Sequence, residues 1–206
     1  MKFDASLDPS ARGEYKALTL RNGLRVLCCA DAAADRAAAA LDVHVGYFSE
    51  PEQVPGLAHF CEHMLFLGTE AFPEENSFDV YLTANSGFSN AFTEAEDTCF
   101  FFSCGVGALE GALERFSGFF REPLFSQGGV EREVKAINSE HLKNVANDVF
   151  RLGQVLNSRA NVGHPYHRFG TGTVKTLLED TKKQGIDLRE ELLAYYKRHS
   201  MIRSGR

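Results

Sequence analysis

The sequence predicts an α+β fold, a mostly antiparallel sheet with helices covering one face. Two observations predict it. Short runs with a two-residue polarity period and segments with helical spacing follow one another in mixed order rather than in regular β-α-β alternation. The first two runs are also joined by Asn22-Gly23, and Asn-Gly is the strongest short hairpin signal.

Taken in order, Tyr15 to Leu20 and Leu24 to Cys28 are the arms of that hairpin. Ala38 to Phe48 alternates Leu41, Val43, Val45 and Tyr47 against smaller or polar residues, which predicts a half-buried strand, and the loop Pro51 to Pro55 ends it. Gly56 to Leu67 is apolar except at His59, Glu62 and His63, and Gly68 stands where a helix stops, so a buried helix is expected. A short helix follows from Glu75 to Ala84. Strands at Gly87 to Phe92 and Thr98 to Cys104 flank the acidic turn Glu94-Ala95-Glu96-Asp97. Val106 to Arg121 has helical spacing in Leu109, Leu113, Phe116 and Phe120. The longest helix is expected from Gly129 to about Ser158, with Val130, Val134, Ile137 and Val145 on one face. A loop from Asn161 to Thr173 leads to a last helix from about Asp187 to His199.

With 206 residues, the chain is expected to form one domain over 1–206, with 1–14 loose. Its 44% hydrophobic and 24% charged residues are those of a globular protein rather than a disordered one. A net charge of -6 without any long Lys/Arg cluster argues against nucleic acid or an anionic membrane as partner. No window is apolar enough to span a bilayer. The cysteines Cys28, Cys29, Cys61, Cys99 and Cys104 are odd in number and unpaired in spacing, which fits a reducing compartment. The acidic start, with Asp4 and Asp8, lacks the features of an export or transit signal. A cytoplasmic location is therefore expected, with mitochondrion and peroxisome as alternatives for which no signal is seen.

The chemistry lies in His59-Phe60-Cys61-Glu62-His63. Residues four apart on a helix are neighbours, so two imidazoles converge on one ion, and Glu62 stands to one side where it reaches water without being a ligand. Their neighbours Leu57, Phe60, Met64, Leu65 and Phe66 leave little polar face, and unpaired ionisable groups are costly to bury. A cation resolves that conflict. A third ligand must come from elsewhere, and Glu133 and Glu140 lie seven apart on the long helix beside the Val134 and Ile137 stripe. Spacing does not choose between them.

These residues resemble the insulysin/pitrilysin family of inverted-motif zinc peptidases, through Pro55 to Thr69, Ser89 to Thr98, Glu131 to Leu152 and His167 to Thr173. The resemblance runs from Tyr15 to about Ser200. It implies one zinc ion, with His59, His63 and Glu140 as ligands, Glu133 supporting the site, and Glu62 as general base. It also implies a peptide substrate that adds as a strand beside Asn90 and Ala91, and an apolar pocket lined by Phe66 and Phe150. Family enzymes continue into a last strand of this domain and further homologous domains, so a homologous carboxyl-terminal half is an expected partner.

Two functions follow from this reading. The first is a zinc metalloendopeptidase of the insulin-degrading type. The second is a zinc- and peptide-binding module without turnover, or one part of a split enzyme; the intact Glu62 favours the first.

Overall fold

The computed structural model describes residues 13–199. Strands β1 (Glu14–Thr19) and β2 (Arg25–Ala30) form the expected hairpin, with Tyr15 opposite Cys29 and Thr19 opposite Arg25. Gly23 takes φ 89° at its tip and donates to the Leu20 carbonyl at 2.9 Å, a left-handed turn that favours glycine. Of the segment expected to be loose, Glu14 already belongs to β1, and 1–12 lie outside the described residues.

The main sheet is antiparallel, in the order β3 (Arg36–Val43), β5 (Thr98–Gly105), β4 (Phe88–Thr93). Strand β3 is shorter than expected: it stops at Val43, and Tyr47 opens a 3-10 turn, Tyr47–Ser49. The cause is Gly46. A Cβ there would meet the Glu94 carbonyl oxygen at 2.1 Å, because the chain crosses the β4–β5 turn at backbone contact and Tyr47 and Phe48 donate to Glu94 and Ala95.

Along β5 the burial alternates. Thr98, Phe100, Phe102 and Cys104 turn inward. Phe102 meets Phe78 of α2 (Ser77–Ala84) and Phe116 of α3 (Leu109–Phe119) edge-on, with ring centroids 5.6 and 5.2 Å apart. Each such buried phenyl contributes about 1.5–3 kcal/mol of transfer free energy, and edge-on contact adds to it. Leu113 lies off this layer and is exposed, so the apolar face of α3 is narrower than its spacing suggests.

Helix α1 (Leu57–Leu65) carries the histidine motif, and Leu57, Phe60 and Met64 have no exposed surface. It starts at Gly56, whose φ of 96° is left-handed, and Gly68, at φ 125°, turns the chain away after it. Helix α4 (Gln127–Val145) crosses α1 and buries Val130, Val134 and Ile137. The single helix expected to run to Ser158 is in fact two. Asn147 is extended and its side chain accepts the Val149 N–H at 2.9 Å, capping α5 (Asp148–Arg159), so Val145 sits at a helix end and is half exposed.

A π turn, Lys175–Glu179, and α6 (Asp180–Lys183) follow the glycine loop; no sequence signal had marked them. Helix α7 (Leu188–His199) is capped by Asp187, which accepts the Glu190 N–H at 3.0 Å. Glu190 and Glu191 lie in its first turn and Lys197, Arg198 and His199 in its last, as the helix dipole favours. Helices α1, α2 and α3 thus cover the inner sheet face, as the α+β expectation has it.

Candidate metal centre

His59 and His63 lie one turn apart on α1, and their rings meet edge-on with centroids 4.8 Å apart. Each ring is held from behind. His59 Nδ1 lies 2.8 Å from the Thr171 carbonyl oxygen, and His63 Nδ1 lies 3.4 Å from Glu133 Oε2 on α4. A carbonyl only accepts, so His59 donates from Nδ1, which leaves Nε2 with its lone pair free.

Both Nε2 atoms face one carboxylate oxygen, Glu140 Oε2, at 3.6 Å from His59 and 3.8 Å from His63. Bonds of about 2.0–2.1 Å to a tetrahedral ion would space three such atoms by roughly 3.3–3.4 Å. The two distances from Glu140 are therefore within about half an ångström of that spacing. Charge supports the fit. Burial works against a charged His63, yet the Glu133 hydrogen bond and the facing Glu140 carboxylate outweigh it and raise the imidazole to about 9. The facing His63 imidazole holds Glu140 below the usual carboxylate range. The His63 ring thus has a carboxylate beside each of its nitrogens, which favours its charged form.

Among the described residues, His59, Glu62 and His63 also form a group whose ligand atoms lie within 4.8 Å of one another. Glu62 is committed elsewhere: Thr93 on β4 donates its hydroxyl to Glu62 Oε2 at 2.5 Å. Burial drives the Glu62 carboxyl up, against the Thr93 bond and the two histidines. Glu133 is steadied in turn by Arg132, whose Nε is 3.5 Å away and whose Nη2 reaches Glu75 at 2.8 Å.

Of the other sequence-predicted residues, Asn90 and Ala91 lie on β4, which pairs with β5 alone among the described strands and so presents an open edge. Phe66 is packed into the phenyl layer against Phe119, at 5.0 Å between ring centroids. Phe150 instead lines a cleft of 330 Å3 with His141, Val155, Phe169 and Thr171. Cys61 is buried and its thiol is pushed up to about 12, which leaves it inert at neutral pH.

Sequence reasoning missed Thr93, Thr171 and Glu50. The run His167 to Thr173 signalled something at Thr171, but a backbone carbonyl leaves no side-chain signature, and the Thr93 contact spans two elements. Glu50 is 3% exposed and accepts the Gly56 and Ala58 N–H groups at 3.0 and 3.1 Å.

Comparison with known proteins adds to this geometry. The family described as insulinase, peptidase family M16, matches residues 25–163. Insulin-degrading enzyme from Mus musculus is 48% identical over 188 residues, 91% of this chain and 18% of that protein. The A-factor-processing enzyme of Saccharomyces cerevisiae is 47% identical over 183 residues, 89% of this chain and 18% of its own length. The crystal structure of pitrilysin superposes with a TM-score of 0.88 at 32% identity, covering 93% of this chain and 20% of pitrilysin. The chain thus spans about a fifth of the length of these relatives.

Proposed function

The chain belongs to the insulinase family, peptidase family M16, and from that membership and the site geometry we propose that it carries the catalytic metal site of a zinc-dependent endopeptidase. The observation that supports this most is the convergence of His59 Nε2, His63 Nε2 and Glu140 Oε2, with both Nδ1 atoms held from behind. In this reading those three residues hold one zinc ion and Glu133 orients His63. Bound there, zinc supplies the Lewis acidity that acidifies water and polarises a peptide carbonyl.

Glu62 is the general base. Its Oε2 is tied to Thr93, which fixes the carboxylate plane and leaves Oε1 to accept a proton from water. Burial raises its carboxyl above the ordinary value, which suits a group that must take a proton and then pass it to the leaving amine.

The substrate is an extended peptide that adds to the open edge of β4. Asn90 Oδ1 accepts the Ala91 N–H at 2.9 Å, so this side chain stands in for a main-chain acceptor that a peptide would supply. Phe150 and its cleft offer the apolar side-chain subsite. A homologous carboxyl-terminal half supplies the remainder of the enzyme, since the relatives are about five times longer. An odd number of cysteines without paired spacing suits a reducing compartment, and the cytoplasm is the compartment this reading assigns.

The test is zinc content together with cleavage of a quenched fluorogenic peptide, alone and with a family carboxyl-terminal half. Zinc bound by wild type and by Glu62→Gln, with turnover lost only in the variant, is expected. Absence of zinc from the wild type would sink the reading. Zinc without turnover in every combination would leave a binding module in its place.

A further inference from the structure

The segment Arg168 to Thr173 lends the site one backbone carbonyl, that of Thr171, and its remaining contacts show how that carbonyl is held. Three contacts seat it against the chain entering α1. Arg168 donates from Nη1 to the Glu50 carbonyl oxygen at 3.2 Å and from Nη2 to Glu52 Oε1 at 2.8 Å. Gly170 lies flat on Tyr47, where a Cβ would be 2.6 Å from the ring carbon Cγ. Gly172 touches Gly56 backbone to backbone: a Cβ on Gly56 would be 2.2 Å from the Gly172 Cα. Between the second and third contacts lies Thr171, whose carbonyl faces His59 Nδ1 at 2.8 Å.

The same stretch of chain carries the buried Glu50, which accepts N–H groups at the start of α1. The Glu50 side chain therefore fixes where α1 begins, and the backbone carbonyl of the same residue anchors the loop that holds the first histidine.

We propose that the Arg168–Thr173 loop, seated on Glu50, Tyr47 and Gly56, is a positioning element that fixes the tautomer and rotation of the His59 ring. The inference rests on the zinc reading for its consequence, but the tautomer is a property of the metal-free chain. Without the Thr171 carbonyl, imidazole exchanges between two neutral forms, and only the one protonated at Nδ1 offers Nε2 to the ion. The loop acts through that carbonyl, so Arg168, Gly170 and Gly172 are positioning residues and not catalytic ones.

Arg168→Gln and Gly172→Ala test it in the full chain. Gly172 has φ 84° and a Cβ there would be 2.9 Å from Leu177 Cδ1, so that variant is the more disruptive and its fold must be checked by melting. Arg168 is partly exposed, so its replacement is expected to keep the fold, and melting checks this as well. Nitrogen chemical shifts of the His59 ring, read by NMR on zinc-free protein, are expected to report a single Nδ1-protonated tautomer in wild type and a mixture in Arg168→Gln. Zinc affinity, measured by competition with a chelator, is expected to fall about tenfold, as loss of an outer-shell partner does. Removing a positive charge favours cation binding through electrostatics, so a fall cannot come from the charge itself. Unchanged His59 shifts and unchanged zinc affinity in folded Arg168→Gln would overturn the proposal. If wild type binds no zinc, the metal reading fails, and the nitrogen shifts still decide the role of the loop.

Discussion

The Thr93 hydroxyl and the Glu62 carboxylate share a hydrogen bond of 2.5 Å, which ties strand β4 to helix α1. The strand that offers the open edge therefore also orients the proposed base. Thr93→Val keeps the shape and removes the donor. We expect kcat to fall about tenfold or more with zinc content unchanged, since proton transfer by a positioned group contributes roughly 10²–10⁴-fold in all. Equal kcat for variant and wild type would exclude this orienting role.

Glu140 and Glu133 differ in what they face: Glu140 meets both Nε2 atoms, whereas Glu133 meets His63 from behind. Glu133→Gln should weaken zinc by about 10- to 100-fold, the range for outer-shell partners, and Glu140→Gln should weaken it further. Titration with a chromophoric chelator ranks them. A reversed order would exchange the two roles.

His63 retains its proton up to about 9 in the metal-free protein, where Glu133 and Glu140 outweigh burial. Zinc must displace that proton. Apparent zinc affinity should therefore drop about tenfold for each pH unit below 9 and level off above it. The same raised imidazole stabilises the metal-free fold fully below its ordinary value of 6.5, a contribution lost as pH rises through 9. Calorimetry of the chelated protein reads the second effect, and a flat zinc affinity between neutrality and pH 9 would contradict the first.

Phe102 joins the sheet to α2 and α3 and is 1% exposed. Phe102→Ala should cost about 3–5 kcal/mol in urea unfolding. A cost under about 1 kcal/mol would mean that the phenyl layer can collapse around the void.

Asn147 breaks the long helix by capping α5. Asn147→Ala should cost about 1 kcal/mol and loosen α5 without altering zinc affinity. Faster amide exchange confined to the first turn of α5 is the expected sign; protection equal to wild type would show that the cap does not hold the helix.

What was legible in the sequence follows from range. The hairpin at Asn22-Gly23, helix α1 and the alternation of β5 depend on residues close in the chain, and each lies where its pattern puts it. In the candidate site, the grouping of His59, Glu62 and His63 was legible for the same reason. Glu140 was not separable from Glu133 by spacing, because both lie on one side of α4 and only the packing of α4 across α1 tells them apart. Asn147-Asp148 is a helix-start signal that continuous apolar spacing from Val134 to Val155 obscured. The early end of β3 depends on Gly46 meeting Glu94, a contact between segments almost fifty residues apart that no local pattern records.

Helix α5 buries none of its residues, although Val149, Leu152 and Leu156 recur at three- and four-residue steps along it. More than half of each of these residues stays in solvent, so the stripe bears on solubility more than on the core. An acidic replacement at Val149, the most exposed of the three, would change how the protein behaves at high concentration with little effect on its melting point, which makes the outside of α5 the natural region for resurfacing.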